Sequence, residues 1–219
     1  MKYSKSIIST LIFYFSLQLM SLWILIIPKT NYEFLSVNAS SLITSIIALI
    51  LLIIIFRKIN KQEILNFNGT KNVCYLFAII LGIGFVMTFP VLNAIYGLGE
   101  NEYISSYSIS FENLWSLYAI DIIIVVPVLE ELFFRNYIQK GLSKLYNPIT
   151  SIIVTAILFS FIHIQVFALF TYYLDFSLYS SFFAFFGGLI SGYLYYKSKS
   201  LIPSILFHMT WNLLVTIIV

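Results

Sequence analysis

Seven apolar runs of about membrane-crossing length divide this chain, and they decide its fold before any single residue is weighed. They cover about Ile7–Ile27, Ser41–Phe56, Val73–Leu98, Leu114–Ile138, Ile149–Phe170, Leu178–Tyr196 and Leu201–Val219. Inside a bilayer every backbone N–H and C=O must be paired within its own segment, so such runs fold as helices. The expected fold class is therefore all-α, a polytopic membrane helical bundle of about seven transmembrane helices. Of the 219 residues 60% are hydrophobic and 10% charged, against about 25% charged in soluble domains. No segment reads as a soluble domain. Partners are thus expected at or in the bilayer, membrane lipids among them, and no nucleic acid.

The first run begins like a signal peptide, after Lys2 and Lys5, but it is too long and lacks a small-residue cleavage site, so it reads as the first span. The charges between runs set an orientation. Lys2 and Lys5, the 57–71 loop with Arg57, Lys58, Lys61 and Lys71, the 135–144 segment, and Lys197 with Lys199 all fall on one side. Glu100, Glu102, Glu112 and Asp175 fall on the other. The positive-inside rule then places the N-terminus in the cytoplasm and the C-terminus outside a multi-pass cell-membrane protein. Gly82 and Gly84 in the third run, and Gly188-x-x-x-Gly192 in the sixth, read as close helix contacts. The single cysteine, Cys74, excludes an internal disulfide framework. Asn38-Ala39-Ser40 and Asn68-Gly69-Thr70 fall on opposite sides and read as chance matches to the glycosylation pattern.

The fourth run carries charge at lipid depth, in Pro127-Val128-Leu129-Glu130-Glu131-Leu132-Phe133-Phe134-Arg135. Each such charge costs about 2.5–3.5 kcal/mol even on insertion-based scales. At about 100° per residue, Glu131 and Arg135 lie one turn apart on one face, the spacing of an ion pair. Glu130 points about 100° away from Glu131 and has no local partner, which makes it the candidate for chemistry. A buried ion-pair staple between helices accounts for one carboxylate only.

Two later runs hold both histidines of the chain. Phe159-Ser160-Phe161-Ile162-His163 places the first well inside the fifth run, and His208-Met209-Thr210-Trp211-Asn212 the second in the seventh, with Asn212 one turn on and facing the same way. A lone intramembrane histidine is usually an interhelical hydrogen-bonder. Two of them beside an unpaired glutamate suggest a shared site. At about 1.5 Å per residue, Glu131 and His208 come out about 11–14 Å from the same end and His163 deeper, at about 20 Å. Other hydrolytic motifs are absent. No His-Glu-x-x-His or Gly-x-Ser-x-Gly occurs, and Asp121 is the lone aspartate within a run.

Glu-Glu-x-x-x-Arg (130, 131, 135), Phe-x-x-x-His (159, 163) and His-x-x-x-Asn (208, 212), in that order on three runs, resemble the CPBP family. This family comprises type II CAAX prenyl endopeptidases and the Abi bacteriocin-processing and self-immunity proteins. The resemblance covers about residues 112–219, a catalytic core of about four spans, and leaves 1–111 as about three N-terminal spans. It implies an intramembrane endopeptidase acting on a membrane-associated peptide or protein, either a CAAX-type lipidated protein or a secreted-peptide precursor. In that reading Glu130 activates a water, His163 helps to hold and polarise it, and His208 and Asn212 donate to the oxyanion. Glu131 and Arg135 form the structural pair. No cofactor is required in the reading we favour. A Zn²⁺ held by Glu130, His163 and His208 is the alternative, since two histidines and a glutamate leave one position open for water. Two other functions compete: a non-catalytic bacteriocin immunity or scaffold protein, and a proton-linked carrier, against which the absence of internal repeats argues. The oligomeric state is not read from the sequence.

Overall fold

Where they are described, the apolar runs are mainly helical, because an apolar segment pairs its backbone most completely that way. The computed structural model describes residues 1–21, 33–60, 72–96, 109–164 and 174–218. Helix α1 covers Tyr3–Ser21, α2 Glu33–Asn60, α3 Asn72–Met87 and α4 Phe89–Tyr96. An unbroken helical run then extends over residues 117–142. It comprises α5 (Leu117–Ile120), a widened π stretch (Asp121–Val125), α6 (Val126–Glu131), a second π stretch (Leu132–Gln139) and α7 (Lys140–Leu142). Helices α8 (Pro148–Phe161), α9 (Leu174–Ser198) and α10 (Leu201–Ile217) follow. Among the described residues there is no strand, only an isolated bridge between Ile109 and Ile218.

The ends of these helices follow from local chemistry. Asn147 caps α8 by accepting from the Thr150 N–H at 2.8 Å, and Pro148 occupies the first turn, where a missing N–H costs nothing. Ser200 caps α10, and Ser116 caps α5. The third apolar run is not one helix. It breaks at Thr88, whose hydroxyl turns back onto the Phe85 carbonyl at 2.6 Å, just ahead of Pro90, which has no N–H to continue the ladder. The fifth run leaves helical geometry after Phe161, earlier than its apolar sequence suggests.

By length and composition, one helical stretch among the described residues is long and apolar enough to cross a membrane, Ala39–Lys58 within α2, with mean hydropathy 2.8. Helices α3, α8 and α10 are apolar but run to 16, 14 and 17 residues. The outward faces are also apolar: Ile46, Ile50 and Ile54 on α2 and Leu76, Ile80 and Ile83 on α3 are exposed. Exposed apolar faces of this kind suit lipid rather than water.

The basic segments converge. The Met1 amino group donates to the Gly141 carbonyl, Tyr3 stacks on Tyr146 at 4.0 Å, and Phe56 meets Tyr137 at 5.3 Å. Lys140 and Lys199 line one cavity. The N-terminal lysines, Arg57, Lys58, Lys140 and Lys199 therefore share one end of the bundle. At the other end the Ser110 N–H donates to the Ile217 carbonyl, which brings the segment before Glu112 against the end of α10. Lys29, Lys61, Lys71, Glu100, Glu102 and Asn68-Gly69-Thr70 lie outside the described residues.

Helix α10 is the central member, packed on α3, α9 and the 117–142 run, while α8 packs on α9 and α2 on the 117–142 run. Gly82 makes the α3–α10 contact: a Cβ there would stand 2.8 Å from Thr210 Cβ and 3.0 Å from the Phe207 carbonyl oxygen. Gly84, expected to serve the same contact, faces open space. A Gly82→Leu substitution is therefore expected to lower thermal stability in detergent by about 1–3 kcal/mol. Gly84→Leu is expected to change it little. Side-by-side melting curves check the contrast.

Candidate active site

Four of the sequence-selected side chains meet where the 117–142 run crosses α9 and α10. Glu131 and Arg135 are fully buried, Glu130 is 8% exposed and His208 3%. Arg135 Nε donates to Glu131 Oε2 at 2.8 Å. The same oxygen accepts from the Ser191 hydroxyl at 2.6 Å, and Ser191 Oγ in turn accepts from Arg135 Nε at 3.3 Å. The other carboxylate oxygen, Glu131 Oε1, receives His208 Nδ1 at 3.2 Å. Three side chains thus saturate one buried carboxylate, the condition under which a charge at this depth is tolerable.

Glu130, its neighbour in sequence, has no such shell. Its Oε2 is buried without a hydrogen-bond partner among the described residues. The atom it faces is His208 Nε2 at 3.9 Å, beyond direct hydrogen-bond reach. The His208 ring is held on both faces of its role. Nδ1 is committed to Glu131, the Trp211 ring stacks on it at 5.3 Å, and Phe159 approaches edge-on at 5.7 Å. Nε2 is thereby the nitrogen turned to Glu130.

His163 stands in the turn just beyond α8, not inside a helix. Its Nδ1 donates to the Phe159 carbonyl at 2.9 Å, one of the acceptors a helix end leaves without an intrahelical donor. The Phe159 ring links it to the rest: its centroid lies 4.8 Å from His163 and 5.7 Å from His208, and the Arg135 guanidinium carbon sits 5.3 Å above it. The helix ends at Phe161, two residues before the histidine.

Asn212 projects from α10 toward the 117–142 run, where its Nδ2 donates to the Ile122 carbonyl at 2.6 Å. The π register explains why that carbonyl is available. Val126 N–H reaches back to Asp121 O, so the next donor in register belongs to residue 127, which is Pro127 and has none. The second N–H of the amide remains for other use. Asp121 in the same stretch is 1% exposed and accepts from the Ser41 hydroxyl at 2.6 Å, tying α2 to the run.

Sequence reasoning missed Ser191. It sits in Gly188-Leu189-Ile190-Ser191-Gly192, where the glycines attracted notice and the hydroxyl did not. The glycines seat the site: a Cβ on Gly187 would lie 2.5 Å from the Trp211 ring, and one on Gly188 3.2 Å from Phe159. Trp211 was likewise unmarked, though its stacking on His208 could have been suspected from the i, i+3 spacing.

In both histidines Nδ1 is hydrogen-bonded to an acceptor, which leaves Nε2 as the nitrogen open to a metal. Among the described residues no group of three His, Cys, Asp and Glu side chains is close enough to hold an ion.

Among the described residues, fold and site together define an all-helical protein with apolar outward faces and a carboxylate–imidazole centre buried between helices. Residues 112–214 match the family model described as Rce1-like, type II CAAX prenyl endopeptidase. All seven motif residues lie within that stretch. Neither a curated protein nor a solved structure matches the chain.

Removing one partner of the saturated cluster leaves a buried charge uncompensated. Arg135→Met is expected to cost about 3–5 kcal/mol of stability, and Ser191→Ala about 1.5–3 kcal/mol through loss of a hydrogen bond to a charged group. Thermal unfolding in one detergent, with both variants alongside the parent chain, checks that order.

Proposed function

We propose that this chain is a glutamate-dependent intramembrane endopeptidase in which Glu130 activates the attacking water. The observation that carries the proposal is the asymmetry of the two adjacent carboxylates. Glu131 is saturated by Arg135, Ser191 and His208, whereas Glu130 Oε2 is buried, unpartnered and turned to His208 Nε2 at 3.9 Å. A water within about 2.8 Å of both atoms would bridge them.

In the reaction we assign, Glu130 Oε2 takes a proton from that water as its oxygen bonds to the scissile carbonyl carbon. The carbonyl oxygen becomes the oxyanion. Collapse breaks the C–N bond, and the proton held on Glu130 passes to the departing amine nitrogen, giving a carboxylic acid and an amine. His163 holds and polarises the water. His208, when protonated at Nε2, and the remaining N–H of Asn212 donate to the oxyanion, contributions worth about 2.7–4 kcal/mol per donor in a comparable protease site. Glu131 fixes the His208 ring through Nδ1, as a carboxylate orients the imidazole of a catalytic triad.

The substrate class we assign is a peptide segment of a membrane-associated protein, either a lipidated CAAX-type C-terminus or the precursor of a secreted peptide. The chain would sit in the cell membrane as a multi-pass bundle, with the basic end and the N-terminus in the cytoplasm. Residues 112–219 would form the catalytic part and 1–111 its flanking helices.

Cleavage of such peptides by purified parent chain and Glu130→Gln, each with and without chelator, tests the reading. Glutamine keeps the shape of the side chain and removes the base. The expected result is activity in the parent chain that is indifferent to chelator, and a loss of at least 100-fold in the variant. Full activity in Glu130→Gln would overturn it, as would activity removed by chelator and restored by Zn²⁺.

A further inference from the structure

The basic end of the bundle contains a cavity of about 420 Å³ whose lining does not include Glu130. It lies between the end of the 117–142 run, the first turn of α8 and the α9–α10 connection. Its wall includes Lys140, Lys199, Ser143, Ser151, Tyr195 and Gln139, and no acidic residue. The α8 N-terminus adds the positive end of a helix dipole at Pro148. Two features of its wall bear on what the cavity could hold.

Lys199 adopts φ 56°, the only positive value at a non-glycine residue among those described. It closes α9, its N–H donating to the Tyr195 carbonyl at 2.9 Å, in a position that glycine occupies most readily. Keeping lysine there places an ammonium at the cavity mouth, steadied 4.3 Å from the Tyr196 ring. Strain retained at a residue that a glycine would relieve points to use of the side chain.

Gln139 supplies the second feature. It is 3% exposed, and its Nε2 donates to the Gly192 carbonyl at 2.8 Å, which fixes the orientation of the amide because a carbonyl only accepts. Its Oε1 is therefore a buried acceptor, without a donor among the described residues. The cavity wall thus offers Lys199 and Lys140, the latter also donating to Asn136 Oδ1 at 3.3 Å, as cationic groups for an anion, with the Gln139 amide beside them.

We propose that this cavity binds the phosphodiester head group of an anionic, hydroxyl-bearing membrane lipid. The phosphate would lie between Lys199 and Lys140, and a head-group hydroxyl would donate to Gln139. A basic cavity at the ends of apolar helices is where such head groups lie.

The test titrates the detergent-solubilised full chain with dioctanoyl phosphatidylglycerol, dioctanoyl phosphatidylcholine or inorganic phosphate, and reads the melting temperature. Phosphatidylglycerol is expected to raise it by several degrees and the other two by less than one. Lys199→Gly is expected to melt no lower than the parent chain without lipid, since it relieves the strained backbone, yet to lose at least half of the lipid-induced shift. Gln139→Leu, whose apolar side chain offers no acceptor, is expected to weaken phosphatidylglycerol binding severalfold. An equal shift with phosphatidylcholine overturns the proposal, and so does a full shift in Lys199→Gly. A shift reproduced by inorganic phosphate overturns the lipid source. So does a shift produced by a short peptide with a free C-terminal carboxylate and absent with its amide.

Discussion

A single buried carboxylate holds the centre of this structure. Glu131 has no access to water, and its two oxygens receive a guanidinium, a hydroxyl and an imidazole from three different stretches of chain. Each donor brings its element with it. Arg135 belongs to the second π stretch, Ser191 to α9 and His208 to α10. Ser204 adds a further tie by donating to the Ser191 carbonyl at 2.9 Å. The glycines of α9 can then face Trp211 and Phe159 without clash, because the polar contact has already set how closely the helices approach. The same saturation defines Glu130 by contrast, as the carboxylate with nothing to hold.

The two π stretches bear on how that contrast arises. Widened turns occur on either side of Val126–Glu131, so the glutamates sit on a short α segment whose phase relative to its flanks is offset. Pro127 within it leaves the Ile122 carbonyl without its backbone donor, and Asn212 supplies one across the interface. Asn212 therefore holds the helix that carries Glu130, besides any contact with a substrate. The lysine-rich cavity lies along the same helical run, at residues 136–143, and shares no side chain with the Glu131 cluster.

Much of this architecture was legible in the sequence, and the exceptions have physical causes. Apolar runs gave helices, because a backbone surrounded by apolar side chains has few other ways to pair. The convergence of the basic segments at one end follows from their alternation along the chain. Spacing placed Arg135 one turn from Glu131, and the family motifs stood in order. Helix ends were less legible, since hydrophobicity continues smoothly past Phe161 and Thr88 while the backbone does not. The widened turns left no mark, because apolar patterning does not encode whether a turn closes four or five residues back. Ser191 was invisible for another reason: its partner lies 60 residues away, and nothing local to α9 announces a carboxylate.

The central claim is that adjacent glutamates have opposite duties, one holding the fold and the other left available. The most direct measurement is the melting temperature of Glu130→Gln and Glu131→Gln against the parent chain in one detergent. Glu131→Gln is expected to melt about 10 °C lower, because Arg135 then remains buried as an uncompensated charge. Glu130→Gln is expected to melt at or above the parent temperature, since it removes a buried carboxylate oxygen that has no partner. Equal losses in the two variants, or a larger loss in Glu130→Gln, would contradict the account.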